Sequence, residues 1–94
     1  FGLTQTKDSF YGQHEPERMP VSGELQDRWN AWVKGGALCS EMEASTIFVV
    51  SSFLKCRAGG IMLAGGSDAE LEVLLNTAVS GLKILIERDQ NKLE

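Results

Sequence analysis

Histidine is nearly missing from this chain: His14 stands alone among 94 residues. One histidine in a polar stretch leaves no Ser-His-Asp triad and no zinc-ligand spacing to read. Cysteine is scarce too. Cys39 and Cys56 are too few for a disulfide framework. Both lie in or beside apolar segments, so they are expected as free, buried thiols in a reducing compartment. Basic charge is short: nine Lys and Arg stand against thirteen Asp and Glu, a net charge of −4. The basic residues are scattered, which argues against nucleic acid as a partner. No apolar run is long enough to span a bilayer, so no membrane partner is expected. No charged-then-apolar leader opens the chain, and a cytoplasmic location is expected. An initiator methionine is also absent, and residues 1–6 (Phe-Gly-Leu-Thr-Gln-Thr) read as a strand already under way. This suggests a portion of a longer protein.

What remains is ordinary globular composition, 43% hydrophobic and 23% charged. It suffices for one small domain, marginal without further support. A short extended segment over 1–6 leads into a polar loop over 7–21 that carries Pro16 and Pro20. Loops of that length are usually functional or mobile. Ser22 is a suitable N-cap for a helix whose Leu25, Trp29, Trp32 and Val33 form one buried face. Gly35 and Gly36 end it. A short strand follows over 37–39, then a helix over 43–55. Its Ala44, Ile47, Val50 and Leu54 are flanked by Phe48, Val49 and Phe53, a pattern apolar enough to be sandwiched. Residues 58–64 read as a strand buried on both faces. Gly65-Gly66 turns the chain, and Ser67 with Glu70 forms a capping box. The last helix carries a stripe of Leu71, Leu74, Leu75, Ala78, Val79, Leu82, Leu85 and Ile86, with a polar tail over 88–94 expected to fray. The alternation predicts an α/β fold, a mostly parallel sheet flanked by helices. Three strands are thin for a free-standing sheet, so something beyond them should cover its edge.

The chemistry concentrates where the second strand meets its helix, at Ser40-Glu41-Met42-Glu43-Ala44. Open α/β sheets bind ligands outside the carboxyl ends of their strands. Two carboxylates there can accept hydrogen bonds from a vicinal diol, and a thioether can pack on a sugar ring. The same residues have a purely structural reading, because Ser40 with Glu43 is itself a capping box. Both readings stay open on the residues alone. Upstream, Lys7-Asp8-Ser9-Phe10-Tyr11-Gly12-Gln13 ends in groups suited to a flat polar base, but equally forms a loop with an apolar anchor. The turn at Gly65-Gly66-Ser67-Asp68 could cradle an anion, though a turn plus N-cap explains it more simply.

Together these two segments resemble uridine phosphorylase and, more broadly, the nucleoside phosphorylase superfamily. The resemblance covers essentially all of residues 1–94 and corresponds to the C-terminal portion of a single family domain, whose N-terminal portion would be missing here. It implies part of a three-layer α/β fold. In the family a Glu-Met-Glu at this junction binds ribose, which assigns Met42 to the sugar ring, Glu43 to its 2′- and 3′-hydroxyls, and Glu41 to the same pocket. An aromatic residue stacks the pyrimidine, and a Gln and an Arg pair with it. Phe10, Gln13 and Arg18 match in type and order, although His14-Glu15-Pro16-Glu17 separates Gln13 from Arg18, which the family keeps nearly adjacent. Gln13 is therefore the firmer transfer. Asp68 lies near the place of a purine-protonating Asp in purine-specific relatives, but its spacing is poor. The polar loop of pyrimidine enzymes is short here.

The implied activity is reversible phosphorolysis of a pyrimidine nucleoside: uridine and phosphate give uracil and ribose 1-phosphate in pyrimidine salvage. Phosphate is a co-substrate, and no metal or organic cofactor is expected. No residue is assigned as catalytic. The family's phosphate site lies in a Gly-rich loop and arginines upstream, so these residues alone are expected to be inactive. Family members form dimer-based homo-oligomers, often hexamers. Two other readings stand beside this one: a purine nucleoside phosphorylase or nucleosidase of the same superfamily, and a non-catalytic or oligomerisation fragment.

Overall fold

The computed structural model describes residues 1–93. They fall into two compact units, Phe1–Gly59 and the described residues from Gly60 onward. The first unit is built on a parallel pair of strands, β1 (Leu3–Thr6) and β2 (Ala37–Glu41). Leu3 pairs with Ala37, Thr4 with Cys39, Gln5 with Ser40 and Thr6 with Glu41, with an irregularity between Leu3 and Thr4. Because strand side chains alternate between faces, Gln5 and Ser40 share one face and Thr6 and Glu41 the other. The Lys7 N–H donates to the Glu41 carbonyl at 2.9 Å, carrying the pairing one residue past β1.

A parallel pair requires a crossover, and here it is largely helical. Its first part is the stretch read as a loop, and the structure corrects that reading. Residues Phe10–His14 form a short helix, α1, and Pro16–Arg18 a turn of 3-10 helix. Ser9 caps α1, its Oγ accepting the Gly12 N–H at 3.0 Å, and Pro16 opens the second turn, where a missing N–H costs nothing. Helix α2 spans Ser22–Lys34 and ends at Gly35, with Gly36 at a φ of 91° as the left-handed stop. Ser22 is its first residue and not its cap; that place is Val21, which offers no side-chain hydrogen bond. Helix α3 covers Ala44–Phe53, two residues short of the expected end.

Residues 58–64 form neither strand nor helix, contrary to expectation. An extended segment becomes a strand only when a neighbour accepts its N–H and C=O groups. The sheet of the described residues has only the two strands β1 and β2. In the second unit, helix α4 runs continuously over Asp68–Leu93, taking in the polar tail from residue 88 to 93; Glu94 lies outside the described residues. The Ser67–Glu70 capping box forms as read: Ser67 Oγ accepts the Glu70 N–H at 3.2 Å, and Glu70 accepts the Gly66 and Ser67 N–H groups.

Ala44 is the one buried apolar residue among those described. The face of α3 expected to be sandwiched is open, with Val49 69% and Phe53 85% exposed. The stripe of α4 is open as well, at Leu75, Leu82 and Ile86. Neither thiol is disulfide-bonded, and Cys56 is exposed where a buried group was expected. Within each unit, one layer of secondary structure cannot cover its own apolar faces. No helix among the described residues is long and apolar enough to cross a membrane.

Candidate functional site

Both strands of the first unit end at one corner, Thr6-Lys7 on β1 and Glu41-Met42 on β2. A cleft of about 410 Å³ opens beside it, a volume in the range of small-molecule sites. Its wall is formed by Gln5, Thr6 and Lys7 from the end of β1, Gln13 from α1, Trp29 and Trp32 from α2, and Met42 from the corner. Two of the six residues assigned from the sequence, Gln13 and Met42, therefore line one cleft.

The Glu41 carboxylate is engaged by the backbone and by Thr6. Its Oε1 accepts the Thr6 hydroxyl at 2.5 Å, and its Oε2 accepts the Glu43 and Ala44 N–H groups, each at 2.6 Å. The Thr6 oxygen also accepts the Ser45 N–H at 3.1 Å. Strand β1, strand β2 and the start of α3 thus meet on one carboxylate, which satisfies amides that a helix leaves open. Desolvation pushes the Glu41 carboxyl up, but the hydrogen bonds from Thr6, Ala44 and Glu43 and the Lys7 charge outweigh it, leaving its pKa below the ordinary value. The expected Ser40–Glu43 capping box does not form. Glu41 occupies the helix start, and Glu43 accepts the Met42 N–H at 3.2 Å through Oε2.

Ser40 turns to the opposite face of the sheet and joins a second polar cluster. Its Oγ lies 2.6 Å from Gln5 Oε1, 3.0 Å from Lys7 Nζ, and 3.0 and 3.3 Å from Gln13 Nε2 and Oε1. Gln13 therefore reaches the cleft from a side chain anchored on β2.

Phe10, Arg18, Glu41 and Glu43 do not line the cleft, although Glu41 and Glu43 flank Met42, which does. The Phe10 ring meets His14 at a 39° tilt, with centroids 4.3 Å apart, and meets Tyr11 edge-on at 5.4 Å. Arg18 pairs with Glu15 and lies over the Tyr11 ring. The aromatic wall comes instead from Trp29 and Trp32, 38% and 50% exposed. In sequence these two are indistinguishable from a core-facing helical stripe, which is how they were read. Gln5 was not singled out, and Lys7 and Ser40 stood within the two highlighted segments without a role beside Gln13. The available signal was strand alternation, which places Gln5 and Ser40 on one face once the parallel register is known.

No family model matches the chain. A uridine phosphorylase of Treponema pallidum (strain Nichols) is 37% identical to it over 100 residues, a match covering 94% of this chain and 39% of that relative. The chain thus spans well under half the length of the curated relative it matches. It is similar to part of a nucleoside phosphorylase-type protein, and its parallel strands flanked by helices are compatible with an α/β fold.

Proposed function

We propose that the protein containing this chain is a uridine phosphorylase-like pentosyltransferase, in which phosphate attacks C1′ of a pyrimidine nucleoside and releases ribose 1-phosphate and the free base. The observation that carries this reading is the meeting of Met42 and Gln13 on one cleft at the carboxyl ends of parallel strands. The similarity to a uridine phosphorylase supports it.

In this reading Met42 packs on the ribose. Glu43, which uses Oε2 for its own corner, offers Oε1 to the sugar hydroxyls. Glu41 acts one step back, holding the backbone that carries both residues. Gln13 meets the base, and Trp29 and Trp32 supply the flat apolar wall assigned to Phe10 from the sequence. Arg18 joins the base only by leaving Glu15. Transition-state stabilisation comes from fixed polar groups around a sugar gaining positive charge and a base gaining negative charge. The described residues hold nucleoside, while the site for phosphate is assigned to the rest of the protein. The open faces of α3 and α4 fit a homo-oligomer or a larger domain that covers them.

The test is Glu43→Gln in the full-length protein, with phosphorolysis of uridine measured by release of uracil. Replacing a charged acceptor by an amide should lower kcat/KM roughly 10- to 100-fold. Undiminished turnover would remove Glu43 from the ribose site. Parallel assays with inosine, and with water in place of phosphate, separate the purine and nucleosidase alternatives.

A further inference from the structure

The Ser40 cluster has a property that follows from counting protons. A hydroxyl carries one donor hydrogen and two acceptor lone pairs. Four polar atoms surround Ser40 Oγ: Gln5 Oε1 at 2.6 Å, Lys7 Nζ at 3.0 Å, Gln13 Nε2 at 3.0 Å and Gln13 Oε1 at 3.3 Å. An ammonium can only donate, so Lys7 takes one lone pair. The Gln5 carbonyl can only accept, and as the nearest atom it takes the single proton. One lone pair is left, and the Gln13 amide nitrogen fills it. The Gln13 carbonyl then receives nothing from Ser40 and keeps its acceptor capacity for the cleft that Gln13 lines.

We propose that Ser40, with its proton committed to Gln5 and one lone pair to Lys7, is a positioning residue that fixes which end of the Gln13 amide faces the base, and so selects a base bearing a ring N–H beside a carbonyl. This inference rests on the uridine phosphorylase-like reading and goes beyond it. A free Gln side chain presents its two ends with equal ease, because rotating the amide by half a turn exchanges them. Such a group accepts from the uracil N–H in one state and donates to the bare ring nitrogen of cytosine in the other. Here the second state is opposed twice. It would leave the Ser40 lone pair empty, and it would place the Gln13 carbonyl against an oxygen whose proton is already engaged. The register of the sheet makes the device possible, since Gln5 and Ser40 are direct partners across β1 and β2.

The experiment uses the full-length protein and two readouts, titration with uracil and cytosine by calorimetry, and phosphorolysis of uridine and cytidine. The wild type should prefer uracil. Ser40→Ala should erode that preference on the order of tenfold, the scale of one hydrogen bond, while Ser40→Thr restores it by returning the hydroxyl. Gln5→Leu is the sharper variant because it leaves Ser40 in place. Its freed proton can turn to Gln13 Oε1, so the preference should fall as in Ser40→Ala, and Gln5→Glu, which keeps the acceptor, should retain it. A merely structural role would lower affinity for both bases alike. Unchanged uracil preference in both Ser40→Ala and Gln5→Leu, or an equal loss for uracil and cytosine, would overturn the proposal while leaving the proposed activity standing. A wild type that binds neither base and releases none overturns both.

Discussion

Helices α3 and α4 both begin on a carboxylate that accepts backbone N–H groups, yet the two starts are built differently. At α4 the parts are local. Ser67 and Glu70 exchange hydrogen bonds within one turn, and Gly66 joins them. Gly65 precedes them at a φ of 124°, and a Cβ there would lie 2.6 Å from Glu70 Oε2, so glycine serves both the turn and the approach of the carboxylate. At α3 the capping carboxylate belongs to the preceding strand and is braced by Thr6 from the neighbouring strand, 35 residues away in sequence. The first arrangement needs nothing but its own turn. The second exists only while β1 and β2 are paired in register, so the corner bearing Met42 and Glu43 is set by the sheet. If the corner holds the sugar as proposed, it gains from that dependence, because groups must be held close to their working geometry to contribute to catalysis.

Removing Glu41 should break the comparison most visibly. Glu41→Ala deprives Thr6, Glu43 and Ala44 of one shared acceptor, and loss of a charged cap with its hydrogen bonds costs about 2 kcal/mol. Urea unfolding of the full-length protein gives the magnitude. Amide hydrogen exchange should show the Glu43 and Ala44 N–H groups losing protection together. Protection that persists at both would mean the helix start does not depend on this carboxylate.

Paired substitutions at the braces sharpen the contrast. Thr6→Val removes the hydroxyl that serves Glu41 and Ser45, and Ser67→Ala removes the local cap of α4. Each should cost about 1 kcal/mol. The difference lies in reach. Thr6→Val should raise exchange at Ala44 and Ser45, far along the chain from the altered residue, whereas Ser67→Ala should affect only amides of the first turn of α4. A change at Thr6 that stays within β1 would show that the strands and the helix start are not coupled.

The same distinction decides what could be read from the residues beforehand. The Ser67–Glu70 box, the Gly35-Gly36 stop and the long apolar periodicity of α4 are short-range patterns, and they were legible. Helix α1 was not, because five residues carry too little periodicity, although Ser9 three before Gly12 was a usable cap signal. At the corner, the cap was not legible. The capping-box pattern pointed to Ser40 with Glu43, whereas the parallel register brings Thr6 to Glu41 and Gln5 to Ser40. Trp29 and Trp32 were hidden for a related reason: an indole facing a core and one facing a cleft share the same helical spacing. Strand pairing over 58–64 was inferred from composition, yet composition cannot supply the partner that a strand requires.

Protonation is the mildest way to probe the α3 corner, since it keeps every atom of the side chain in place. Glu41 has a folded pKa below its ordinary value, with desolvation outweighed by the Thr6, Ala44 and Glu43 hydrogen bonds and the Lys7 charge. The unfolded chain therefore binds this proton more tightly than the folded one. The resulting stability is fully present above the ordinary value of 4.5 and is lost as pH falls through the lower folded value. Stability measured from pH 6 down to pH ~3 should fall more steeply in the wild type than in Glu41→Gln, which has no proton to gain. Parallel curves would mean that the carboxylate is no better solvated by its three donors than by water. The cap would then owe its strength to geometry rather than to charge.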